Sequence, residues 1–194
     1  MLASATTVEE ARWLESRGVD AIIAQGLQAG GHRGMFLSDD LTTQMGTLTL
    51  VPQIVAAVRT PAIAAGGIAD ASGVTAAMSL GAVGVQIGTA YLLCPEATTS
   101  IVYRRALQSV TAGHTALTNV FTGRPARSIL NRFMQEVGPI NSAAPPFPLA
   151  AFPLAQLRGH RKRRFLSVVG WPKHQRIKET SAAQLTLELA ADAL

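Results

Sequence analysis

Across residues 1–93 the apolar positions switch between helical spacing and short continuous runs, and glycines punctuate the switches. Val8, Ala11, Trp13 and Leu14 recur at helical spacing, and Thr7-Val8-Glu9-Glu10 has the form of a capping box, with Thr7 accepting from the Glu10 amide while Glu10 reaches back. This predicts a helix over about 8–17, stopped at Gly18. Asp20-Ala-Ile-Ile-Ala24 is a short apolar run of the kind buried on both faces in parallel sheets. Leu48 to Arg59 predicts the next helix, with Pro52 in its first turn, where a missing N–H costs nothing. Pro61 to Ala65 reads as a second strand, ended by Gly66-Gly67. A helix capped by Asp70 or Ser72 runs to about Leu80, and Val83 to Ile87 forms a third strand, ended by Gly88-Thr89. Helix, strand and glycine turn recur three times on short connections, which predicts a parallel α/β sheet with helices outside it.

After Pro95 the pattern changes. Glu96 to Val110 reads as an amphipathic helix, and residues 111–145 mix Thr, Gly and Arg around one further helix near Arg127–Val137. Ala143 to Pro153 holds four prolines and reads as an extended linker. Ser181 to Leu194 closes the chain as an amphipathic helix with Leu185, Leu189 and Ala193 in register.

Composition narrows the class. The 194 residues are 48% hydrophobic and 15% charged, enough apolar side chain for one domain with a sizeable core and too little charge for a disordered chain. A lone cysteine, Cys94, excludes a disulfide framework and a CxxC-type zinc site, and reads as a packed small residue. No apolar stretch reaches about 18 residues, so no membrane span is expected, and MLASATTVEE lacks the pattern of a signal peptide. A cytoplasmic location is the expectation. The pI near 10.1 suggests nucleic acid until the charges are located. Eight of the 17 basic residues fall within 158–178, where there is no acidic residue, leaving nine basic against twelve acidic elsewhere. The chain is a mildly acidic body with one basic segment, and no specific nucleic-acid partner is expected.

Three clusters stand just after predicted strand ends, the edge at which parallel α/β folds bind ligands. They are Gln25-Gly-Leu-Gln-Ala-Gly30-Gly31-His32, Gly66-Gly67-Ile68 and Gln86-Ile87-Gly88-Thr89. Glycine lets backbone approach an anion closely, and amides at a helix start attract it. Either glycine pair alone reads more readily as a tight turn or helix cap; together, on consecutive strands, they favour a phosphate site. His32, in a glycine-rich loop, suits a general base or a hydrogen-bonded structural histidine. Asp39-Asp40 lacks further ligands at metal spacing and reads as a solvated or capping pair.

Read in order, Gln25-Gly26-x-x-Ala29-Gly30-Gly31-His32-x-Gly34, Ala64-Ala65-Gly66-Gly67-Ile68-Ala69-Asp70 and Gly84-Val85-Gln86-Ile87-Gly88-Thr89 resemble the nitronate monooxygenases, formerly 2-nitropropane dioxygenases. Thr122-Gly-Arg-Pro-Ala-Arg127 with Asn131 is similar to the region after the family's barrel. The resemblance implies an FMN-dependent TIM-barrel oxidoreductase, (β/α)8 in type. It places Gly66, Gly67, Gln86, Ile87, Gly88 and Thr89 at the FMN phosphate, Gln25, Gly30 and Gly31 by the flavin, and His32 as catalytic base. The implied reaction oxidises an alkyl nitronate, or a nitroalkane deprotonated by His32, with dioxygen to a carbonyl compound and nitrite.

The resemblance starts at what corresponds to the family's fifth strand, Leu2 to Ala5, so only about strands 5–8 of the barrel are expected. That divides the chain into a half barrel over 1–95, a helical region over the active site at 96–142, a Pro-rich and then basic linker at 143–178, and a C-terminal helix at 179–194. A half barrel exposes two strand edges, through which self-association is expected. The expectation is a truncated family member, a chain that assembles with another half, or an altered fold. The basic run matches neither its flanks nor the family, as a local reading-frame disturbance would produce. Two other functions fit parts of the pattern: an FMN-dependent enoyl-acyl-carrier-protein reductase, and a non-catalytic remnant or interaction module.

Overall fold

The computed structural model describes residues 1–152 and 178–191. Its centre is a four-stranded parallel sheet, ordered β1 (Leu2–Ala5), β2 (Ala21–Gln25), β4 (Ala62–Ala65) and β5 (Gly84–Gln86). The register places Ser4 beside Ile23, Ile23 beside Ile63, and Ala64 beside Val85. Ala5, Ala24 and Ala64 are fully buried, and these small side chains let the covering helices come close. Those helices are α1 (Val8–Ser16), α2 (Thr47–Ala57) and α3 (Ala71–Ser79), which bury Leu14, Leu50, Ile54 and Val74 against the strands. The architecture is half of a TIM-type barrel, with β1 and β5 at its edges.

The local signals act much as expected. Asp70, rather than Ser72, caps α3 by accepting from the Gly73 amide at 2.8 Å. Asp40 caps a 3-10 turn at Leu41–Thr43 by accepting from the Thr42 amide, which accounts for one of the two adjacent aspartates. Pro52 lies in the second turn of α2, because the helix starts at Thr47; the Leu48 carbonyl it cannot serve belongs to an exposed residue.

The terminal helix, α6 (Ala182–Ala190), packs on α3 and contributes Leu185 and Leu189 to the core shared with α1–α3. Ser181 caps it, and Tyr91 Oη lies 2.8 Å from Thr186 Oγ1. It thus serves as the helix of the fourth βα unit, and the chain between β5 and α6 is an insertion.

That insertion corrects two expectations. Residues 96–142 are not wholly helical: α4 (Ile101–Leu107) and α5 (Arg132–Val137) flank an antiparallel hairpin of β6 (Thr115–Thr118) and β7 (Ala126–Ile129). The helix expected near Arg127 starts only at Arg132, under an Asn131 cap, because β7 also pairs with β3 (Gly31–His32). This pairing joins segments far apart in sequence, and such tertiary pairing overrides local preference. Nor is the start of the Pro-rich segment an extended linker. The Leu149 amide donates to the Pro146 carbonyl at 2.8 Å, Ala150 is buried, and Pro145–Phe147 backbone lies against Gly123. The basic segment, apart from Lys178, lies outside the described residues; Lys178 Nζ pairs with Glu188 at 2.8 Å.

If α6 belongs to the barrel core, Leu185→Ala and Leu189→Ala should each destabilise the whole unit by about 2–5 kcal/mol. Urea unfolding followed by circular dichroism measures this. An unchanged midpoint in both variants would show that α6 is a detachable tail.

Candidate functional site

The C-terminal ends of β2, β4 and β5 open into a cleft of about 300 Å3. Gln25, Gln28, Ala29 and Gly30 form one wall, Ala65 to Ile68 the floor, and Gln86 to Thr89 the opposite wall, with Leu92 and Tyr103 from the insertion closing over it. Of the residues proposed from sequence, Gln25, Gly30, Gly66, Gly67, Gln86, Ile87, Gly88 and Thr89 therefore share one cavity. Gly31 and His32 do not line it. They sit on β3 at the rim, paired with Arg127 and Ala126.

Steric limits explain the glycines. Gly66 has φ +104°, and a Cβ there would lie 2.5 Å from the Ala29 amide nitrogen, so only glycine lets the β4 turn touch the β2 loop. A Cβ at Gly26 would approach Thr47 to 2.0 Å. The Thr47 hydroxyl lies 2.6 Å from the Gly66 carbonyl and ties α2 to the same turn. At Gly88 a Cβ would meet nothing within 4 Å, so there the glycine keeps open space open. The 3-10 turn Thr89–Leu93 begins at Gly88 without a side-chain cap. Its first amides and the Gly66-Gly67 turn lie on neighbouring strands, and unsatisfied amides at a helical start attract anions. Space, glycine backbone and an uncapped turn together fit a phosphate.

The loop carrying His32 is held by side chains rather than by regular structure. Gln25 donates through Nε2 to the His32 carbonyl at 3.1 Å and accepts at Oε1 from the Gly34 amide at 2.7 Å. Arg33 is almost wholly buried; it donates to the Gln25 carbonyl (2.8 Å), the Gly26 carbonyl (2.9 Å) and Gln44 Oε1 (2.9 Å). Arg127 donates to the Leu27 carbonyl at 2.7 Å and Arg124 to the Met35 carbonyl at 2.6 Å. Burial, followed by the neighbouring Arg127 charge, pushes the Arg33 pKa down to about 10, leaving it a cation at neutral pH.

The imidazole of His32 has its Nε2 2.9 Å from Thr122 Oγ1, and its ring meets Phe147 edge-on at 5.8 Å between centroids. Although His32 keeps solvent contact, loss of water from the ring lowers its pKa below 6.5, and the Arg124 charge lowers it further. The shift favours the uncharged ring, the form in which an imidazole can accept a proton.

Gln28 lies inside the Gln25–His32 motif and Arg33 directly after it, and an arginine following Gly-Gly-His is a usable sequence signal for the latter. Glu10 was assigned only to its helix cap. In the structure its Oε2 accepts from the Thr6 amide (2.6 Å), not from Thr7, while Oε1 accepts from the Phe36 amide (2.6 Å). Tyr103, on α4, and Thr122, in the turn of the β6–β7 hairpin, have no local sequence signature as lining or ring-holding residues. Cys94 is buried, with its thiol pKa raised by that burial, and takes no part in the cleft.

A TIM-type half barrel with a glycine-lined cleft at its C-terminal edge defines the fold class, and comparison identifies the family. The family model for nitronate monooxygenase matches residues 1–188, and the chain belongs to that family. It is 46% identical over 149 residues to a nitronate monooxygenase of Pseudomonas aeruginosa, covering 76% of this chain and 42% of that protein. A probable nitronate monooxygenase of Staphylococcus saprophyticus is 45% identical over 151 residues, again covering 42% of its own length. The chain thus spans less than half the length of these curated relatives. Among solved structures, the nitroalkane oxidase of Streptomyces ansochromogenes superposes with a TM-score of 0.89 at 38% identity, over 98% of this chain and 56% of that one. FabK from Thermotoga maritima follows at 0.75 and 26% identity, over 98% of this chain and 60% of that one.

Because His32 binds a proton less readily when folded than when unfolded, its contribution to stability should fall as pH drops from 6.5 through its folded pKa. A histidine NMR titration should place its midpoint below 6.5, and Arg124→Gln should raise it. A midpoint unmoved by that substitution would show that Arg124 does not act on the ring.

Proposed function

We propose that this chain carries the FMN-phosphate and proton-abstracting parts of a nitronate monooxygenase, which oxidises alkyl nitronates or nitroalkanes with dioxygen to carbonyl compounds and nitrite. The observation that carries the reading is the shared cleft, lined together by two glycine turns on adjacent strands, of which that at Gly88 borders open space, and by the loop that leads to His32. The fit for a phosphate is the open space at Gly88 and the uncapped turn after it. Gly66, Gly67, Gln86, Ile87, Gly88 and Thr89 would hold the phosphate, with Gln25 and Gly30 beside the flavin and Gly31 leading the chain to His32. When bound, FMN would accept electrons from the nitronate and pass them on to dioxygen.

The chain's own residues handle the proton. A neutral nitroalkane is an acid at its α-carbon, and a neutral His32 takes that proton. The Thr122 hydroxyl has the Arg124 carbonyl as an acceptor at 3.2 Å. With that donation made, Thr122 accepts from Nε2–H, and Nδ1 keeps the lone pair. Leu92, Tyr103 and Ile68 line the cleft with largely apolar surface suited to an alkyl group. The open edges β1 and β5 are the seams at which four further strands would complete the barrel, and they are the route to self-association. A cytoplasmic setting accords with a free buried cysteine. Among the described residues no helix is long and apolar enough to cross a membrane. The FabK likeness makes a reductase of enoyl thioesters the second reading of the same cleft.

Two substitutions separate the parts. Gly88→Asp puts a carboxylate into open space, so it should fold normally but weaken FMN binding about tenfold or more in a fluorescence titration, whereas Gly88→Ala should weaken it less. Equal affinity in all three proteins would remove the phosphate assignment. His32→Ala should retain bound flavin and abolish turnover of a neutral nitroalkane, read as nitrite release. Nicotinamide oxidation with an enoyl thioester, and none with nitroalkanes, would select the second reading.

A further inference from the structure

Besides His32 itself, the most heavily built part of the molecule is the buried polar chain beneath its loop, which the proposed chemistry does not use. Glu10 and Arg33 are both about 1% exposed and do not touch. They are joined through two neutral side chains: Arg33 Nε donates to Gln44 Oε1 at 2.9 Å, Gln44 Nε2 donates to Thr6 Oγ1 at 2.9 Å, and Thr6 Oγ1 donates to Glu10 Oε2 at 2.7 Å. Each end of this relay grips the same loop. Arg33 holds the carbonyls of Gln25 and Gly26 where the chain leaves β2, and Glu10 holds the amides of Phe36 (2.6 Å) and Leu37 (3.3 Å) where it comes back. His32 lies between the two grips.

We infer that Arg33, relayed through Gln44 and Thr6 to Glu10, is the positioning residue of His32, fixing both ends of the loop so that its imidazole is presented to the cleft rim in one place. The inference deepens the proposed role of His32 and rests on it. Separated buried charges are costly unless every donor and acceptor is used, and this relay is so arranged that a guanidinium and a carboxylate spend their bonds on loop backbone rather than on each other. A lysine in place of Arg33 keeps the charge but has no planar fork to serve three acceptors set around it.

The test uses the full chain with Arg33→Lys and, so that folding does not hinge on replacing a buried cation, the near-isosteric Gln44→Met, which cuts the relay and leaves both charges. Amide hydrogen exchange is read by NMR. Protection of Gly34 and Phe36 should fall at least tenfold in Gln44→Met, while the amides of β2 and β4 keep theirs. Loop protection that is unchanged, or lost equally in β2 and β4, overturns the inference. In the flavin-loaded protein, Gln44→Met should lower kcat for a neutral nitroalkane at least tenfold and leave turnover of the preformed nitronate within twofold, because only the first needs a placed base. Equal loss on both substrates overturns the positioning role. Should the chain turn over neither, the proposed reaction fails, and the exchange measurement still decides whether the relay holds the loop.

Discussion

Between Gln25 and Thr47 the chain leaves the sheet and crosses the strand ends with only two residues of strand and one turn of 3-10 helix. Its backbone groups must be satisfied nonetheless, since a buried amide or carbonyl left bare costs about as much as a lost hydrogen bond. Side chains meet that demand. Arg33, Arg124 and Arg127 take the carbonyls at 25, 26, 27 and 35, Gln25 takes the Gly34 amide, and Glu10 takes those at 36 and 37. Everything placed at the cleft mouth depends on this substitution of charged side chains for regular structure. The glycines at 26 and 66 are its steric complement, since they let the loop lie directly on α2 and on the β4 turn.

The same arrangement decides the electrostatics. The Arg124 guanidinium, itself bonded to the Met35 carbonyl, raises the potential at the His32 imidazole. A histidine hydrogen-bonded to a carboxylate would be drawn toward its cationic form. Here the opposite holds: loss of water from the ring, followed by the Arg124 charge, lowers its pKa and favours the neutral form.

Much of the half barrel was legible in the sequence because its information is local. Apolar runs bounded by glycine, a Thr7 cap, an Asp70 cap and glycine turns at strand ends each act within a few residues, and each element appears within about two residues of where the pattern places it. The glycine clusters of the cleft were legible for the same reason. What was not legible came from pairing at a distance. Arg127 reads as the start of a helix until Gly31 and His32 pair with its strand, 95 residues away. Glu10 reads as one half of a capping box, yet one of its oxygens belongs to Phe36 and Leu37. The terminal helix reads as amphipathic, and its packing on α3 shows where that apolar face goes, to the fourth βα unit.

These long-range pairings bear on what the half barrel can hold by itself. Every described group that fixes the His32 loop comes from within residues 6–147: Thr6, Glu10, Gln25, Arg33, Gln44, Thr122, Arg124, Arg127 and Phe147. The glycine turns of the cleft likewise follow β4 and β5 of the same sheet. The seams cut the sheet, where parallel strands lack a neighbour, and not the hydrogen-bonded machinery at its C-terminal edge. The open positions are thus in the sheet, where β1 and β5 each pair on one side only, while the loop at the cleft edge is held by hydrogen bonds within the chain.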